Sequence, residues 1–96
     1  MTSEEREILM DRMTENLPTL RKKLKLSQER LARFMGSSRH TIMLIESKKR
    51  KMTWNTFLSL MLLFDKNEET SVLLRALGIY TQEFDILLTQ STEGIR

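Results

Sequence analysis

The residues of this chain best placed to do chemistry by their spacing are its cations. Lys48, Lys49, Arg50 and Lys51 follow one another, and Arg21, Lys22, Lys23 and Lys25 form a second cluster. Residues 17–52 carry eleven Lys/Arg against Glu29 and Glu46, a net charge of +9, whereas residues 1–16 and residues 53–96 each sum to −3. The modest overall charge of +3 therefore hides a concentrated positive middle between two acidic ends. Such segregation is the electrostatic footprint of a phosphate-binding surface, although charge alone fits a solvated face equally well.

Other reactive residue types are placed less productively. His40 is the one histidine, with no Cys, Asp or Glu at ligand spacing and no nucleophile beside it, so it reads neither as a metal ligand nor as half of a catalytic dyad. The absence of cysteine excludes disulfides and thiolate chemistry and suits a reducing, cytoplasmic setting. Paired carboxylates, a metal-ligand cluster and a glycine-rich phosphate loop are all missing, so no enzyme, metal or cofactor is expected. The acidic stretch Met1–Arg6 is followed by no apolar run and does not read as a secretory signal. The longest apolar stretch, Leu60–Phe64, is too short for a bilayer span, so no membrane partner is expected.

The elements that must position the cations read as helices throughout. Gly and Pro number only 3 and 1, and apolar residues recur mostly at i, i+3, i+4, which predicts an all-α fold of seven short helices in one 96-residue domain. A first helix is expected over Ser3–Met13, with Ile8, Leu9 and Met13 as its apolar stripe. Pro18 then suggests a fresh start at about Leu17, with Leu17, Leu20 and Leu24 inward and Arg21, Lys22 and Lys23 mostly outward. Ser27 can cap a third helix, Gln28–Met35, ended by Gly36 in the left-handed conformation. Ser37 and Ser38 supply the cap for a fourth, Arg39 to about Ser47, which follows too closely to lie antiparallel. The basic run ends it.

Trp54–Phe64 is expected to be the fifth helix. Eight of its 11 residues are apolar and fit no single stripe, so it must be buried on most sides. Its cover is expected from helices over about 67–77 and 81–89, separated by Gly78. Three parts follow: an N-terminal helical extension over 1–16, a core over 17–64, and C-terminal helices over 65–96.

On the fourth helix, Ile42 and Ile45 share one face, while Arg39, His40, Met43, Leu44 and Ser47 spread over the other. The second face is left free with cations at each shoulder, which matches a major groove with phosphates at each edge. From Leu17 to Phe64 the sequence resembles the phage repressor/Cro-like (XRE-type) helix-turn-helix family. The resemblance rests on Leu20-Arg21, Leu26-Ser27-Gln28-Glu29-Arg30-Leu31-Ala32, Gly36, Ser38-Arg39-His40-Thr41-Ile42, Ile45-Glu46 and Lys49-Arg50, with no insertion between them.

The resemblance implies sequence-specific binding of double-stranded DNA, commonly by a two-fold homodimer and usually for repression of transcription. It implies a phosphate or base contact for Gln28, DNA-binding positions at the N-terminal end of the recognition helix for Ser38, Arg39 and His40, a phosphate-binding loop at Lys49 and Arg50, and a buried ion pair between Arg21 and Glu46. Arg39 suits a bidentate contact to guanine or a phosphate contact, and His40 suits a base or phosphate contact or an exposed position without a role. Met43 and Leu44 suit thymine methyl groups or packing onto Trp54 or a neighbouring loop. Lys25 and Lys48 stand where the family usually has glycine, so each is expected to take a positive φ or to end its helix differently. Leu44 stands where a polar residue is usual.

Surplus aliphatic residues beyond residue 65 invite dimerisation through the C-terminal helices, with the acidic N-terminal helix as the lesser route. The competing function is an antitoxin-type module that binds its operator and clasps a protein partner, a toxin, through the terminal helices.

Overall fold

Packing overrides the one proline of this chain. The computed structural model describes residues 1–93, with side chains to residue 90, and folds residues Ser3–Lys23 into a single 21-residue helix, α1, with Pro18 inside it. The expected break there is absent, so the described residues form six helices rather than seven. An interior proline removes one backbone hydrogen bond and crowds the preceding turn, at a cost of ~3 kcal/mol. Against that, Leu9, Met13, Leu17 and Leu20 stand at i, i+4 and i+3 spacing across the proline, and all four are buried. Burying each contributes on the order of 1.5–3 kcal/mol, so the continuous stripe wins. Thr2 and Glu5 close the N-terminus as a capping box.

The remaining helices are α2 (Gln28–Met35), α3 (Arg39–Glu46), α4 (Trp54–Lys66), α5 (Glu68–Ala76) and α6 (Gln82–Glu93). Ser27, Ser38 and Thr53 each accept a hydrogen bond from the backbone N–H three residues on, as the cap spacing predicts. Four helices end alike. Lys25, Gly36, Lys48 and Gly78 have φ of 57, 65, 64 and 69°, and in each case the next residue's N–H bonds back five residues. This is the Schellman closure, which needs a left-handed residue. The two lysines therefore do adopt positive φ.

One core runs through all six helices. Leu31 and Ala32 of α2, Ile42 and Ile45 of α3, Phe57, Leu60, Met61 and Phe64 of α4, Leu74 of α5 and Phe84 of α6 join the α1 stripe. The α4 helix is the hub, as its apolar composition demands. Its Trp54 stacks on Phe57 at 4.8 Å, and Phe84 meets Phe57 edge-on at 5.7 Å, which fastens α6 across it. Thr70 is fully buried because its hydroxyl donates to the Phe64 carbonyl, 2.6 Å, closing the α4–α5 corner. Among the described residues no helix is long and apolar enough to cross a membrane.

Candidate nucleic-acid interface

The α3 helix has the composition of a two-sided element, and the fold uses both sides. Ile42 and Ile45 are buried, while Arg39, His40 and Ser47 are exposed. Met43 keeps 40% of its surface exposed and Leu44 is half-buried. Leu44 is thus less open than the sequence pattern suggests. Trp54, the alternative packing partner for Met43 and Leu44, is instead occupied by Phe57, by Phe84 and by the Arg6 guanidinium 5.0 Å above its ring.

The N-terminus of α3 is electropositive by construction. Its first turn holds no acid, and α4 shares this property, whereas α1, α2, α5 and α6 all carry Glu or Asp in the first turn. A helix N-terminus presents partial positive charge and unpaired N–H groups, which acids usually neutralise. On α3 the first-turn side chains are Arg39 and His40 instead. Ser38 is spent on the cap: its hydroxyl accepts from the Thr41 N–H at 3.1 Å and lies 3.0 Å from the Thr41 hydroxyl.

Thr41 is a residue that the sequence reading missed. Its hydroxyl also accepts from Arg50 at 3.3 Å, which ties the basic loop to the start of α3. The Ser-x-x-Thr spacing from the cap was visible in the sequence, but nothing there points from Thr41 to Arg50. Lys49 and Arg50 stand beside α3 because both of their backbone N–H groups bond to the Leu44 carbonyl.

Beneath this surface, Arg21 grips Glu46 in a two-pronged contact, Nε to Oε2 at 2.9 Å and Nη2 to Oε1 at 3.1 Å. The side chains are only 11% and 9% exposed. Arg21 therefore turns inward, unlike the outward direction its position beside Lys22 and Lys23 suggested. Its remaining prong donates to the Leu26 carbonyl, so one side chain fixes the end of α1, the approach to α2 and the end of α3. Gln28 joins the same network, donating to Glu46 at 3.0 Å. One of its two amide N–H donors is committed to the interior, which leaves the other and the carbonyl oxygen for any outside contact.

The second titratable cluster lies on the α4–α6 side, away from these residues. Arg75 bonds Asp65 at 2.7 Å and lies 4.1 Å over the Tyr80 ring. Burial raises the Asp65 pKa, but hydrogen bonds from Arg75 and Ser71 outweigh it and leave the carboxyl below its usual value. Burial, then the bond to Asp85 at 2.7 Å, pushes the Tyr80 hydroxyl up to about 12. Each group is satisfied by a neighbour, so the cluster braces helices and offers no group poised for proton transfer. Compared with known protein families, curated proteins and solved structures, the chain finds no match.

Proposed function

We propose that residues 27–50 are a repressor-type helix-turn-helix that docks on double-stranded DNA with α3 in the major groove, and that the protein regulates transcription as a homodimeric repressor. The observation that carries this reading is the pairing of an acid-free, cation-bearing α3 N-terminus with a basic loop hydrogen-bonded to it through Thr41. Phosphates at the groove edges suit Lys49 and Arg50, and base edges suit Arg39, His40 and Met43. The Arg21–Glu46–Gln28 network holds the reading helix against its support.

One α3 spans too few base pairs to single out an operator, so a second copy is part of the proposal. The groove between α4 and α6, about 560 Å³ and edged by Leu62, Lys66, Tyr80 and Leu88, is the surface assigned to it. Leu62 is 70% exposed there. A charge of each sign at the rim, Asp65 and Lys66, suits a self-complementary two-fold contact.

Selection of bound sites from a random duplex pool tests the reading. The expected product is an inverted repeat with half-sites about 10 base pairs apart. Arg39→Ala should cost about 1–3 kcal/mol and relax one base position. If a dimer neutralises about 6 phosphates, affinity falls with salt at a log–log slope of roughly −5. A pool that yields no enriched sequence overturns the reading; a single asymmetric half-site bound by a monomer overturns the dimer alone.

A further inference from the structure

The acidic end of the chain faces the basic loop. Glu4, Glu7, Asp11 and Glu15 recur at spacings of three and four, so they form one stripe along α1. Lys48 Nζ lies 2.5 Å from Glu15 and Lys51 Nζ lies 3.6 Å from Glu7. Asp11 and Glu15 also line one cleft with Lys48, Arg50 and Lys51. The loop cations are thus divided. Lys48 and Lys51 turn to α1, Arg50 turns to Thr41 of α3, and Lys49 has no ion pair among the described residues.

We propose that the α1 stripe is an internal phosphate mimic that shields Lys48 and Lys51 through Glu15 and Glu7 and thereby lowers affinity for DNA of any sequence. The inference rests on the DNA-binding reading above. Exposed carboxylate–ammonium pairs are weak, so the stripe does not lock the loop. It changes the exchange instead. A lysine that swaps a carboxylate for a phosphate leaves the carboxylate bare, and that pair delivers little net positive charge to the duplex. Contacts from α3 to base edges are unaffected by the swap. The penalty therefore falls on the sequence-independent, electrostatic part of binding and is paid on every sequence alike. The stripe also sets an edge to the footprint, since a duplex extending over α1 would lay phosphates against carboxylates.

The test compares the parent with the charge-neutral, near-isosteric double variant Glu7→Gln/Glu15→Gln on a short mixed-sequence duplex, read by fluorescence anisotropy across salt. Each freed lysine should steepen the log–log slope by about 0.9, so the double variant gains up to roughly 1.8 per chain. Lines that converge near 1 M salt then differ by some tens of fold near 0.1 M. A second variant, Glu68→Gln/Glu69→Gln on α5, removes the same charge away from the loop and should leave the slope close to that of the parent.

Equal slopes for the parent and the Glu7/Glu15 variant overturn the shielding. So does equal steepening in both double variants, which would reduce the effect to net charge. A parent that binds no duplex at any salt sinks the DNA reading itself. Elution from immobilised heparin then still decides the shielding, because a polyanion that elutes parent and variant at one salt concentration overturns it.

Discussion

Arg21 and Glu15 sit six residues apart on one helix, and each reaches across to the α3 region, but the two contacts differ in kind. Arg21–Glu46 is two-pronged, nearly enclosed and shared with Gln28 and the Leu26 carbonyl. Glu15–Lys48 is a single contact between two exposed side chains. The basic half of α1 thus supplies position, and the acidic half supplies charge that can exchange with an outside anion. The difference teaches that an ion pair is read by its burial and its remaining partners. Low exposure makes a pair costly to break, while high exposure makes it cheap to replace.

The sharpest way to break the comparison is to truncate both acids. Glu46→Ala leaves the Arg21 guanidinium and the Gln28 amide unpaired in a nearly closed site, so it should lower stability by about 3 kcal/mol in urea unfolding. Glu15→Ala removes an exposed partner and should change stability by about 0.5 kcal/mol or less. Equal losses would show that the two contacts are one kind after all. Arg21→Met with Glu46→Leu sharpens the test, because removing both charges should recover part of the loss.

Pro18 divides the two halves, and replacing it has the opposite sign. Pro18→Ala restores a helix-interior N–H that can bond to the Thr14 carbonyl and relieves crowding in that turn, a gain of up to ~3 kcal/mol. The freer unfolded chain takes back about 0.4–1 kcal/mol, and loss of the half-buried ring takes back more. A net gain of about 1–2 kcal/mol in urea unfolding is expected. A loss instead would mean that the backbone geometry Pro18 imposes is what lets Leu9 and Leu20 reach one core.

The same proline marks where sequence reasoning failed, and the reason is physical. A local rule about proline competes with a non-local apolar stripe, and only the packed partners, α3, α4 and α5, decide between them. Features set within a few residues were legible: the caps at Ser27 and Ser38, the left-handed Gly36, the buried Ile42 and Ile45, and Gly78 between α5 and α6. The Arg21–Glu46 pair followed from the resemblance, since no local rule links residues 25 positions apart. The other contacts across the fold were not legible. Thr41 with Arg50, Gln28 with Glu46, and both lysines with the α1 stripe depend on which helix faces turn together, and that is fixed by the shared core.

The smallest expected effect lies at the end of the basic half, and it separates charge from backbone. Lys25 and Gly36 close their helices in the same way, at φ of 57 and 65°. A side chain in that conformation costs roughly 1–2 kcal/mol, which glycine avoids, while glycine's greater freedom in the unfolded chain costs about 0.5–1 kcal/mol. Lys25→Gly should therefore raise stability by about 0.5–1 kcal/mol in thermal or urea unfolding. Lys25 is exposed and forms no ion pair among the described residues, so no contact is lost to offset the gain. The same variant removes one cation from the +9 segment. If Lys25 meets a phosphate, the salt slope should become shallower by about 0.9. A variant that is more stable and binds more weakly shows strain retained for charge. A more stable variant with an unchanged slope places Lys25 outside the footprint.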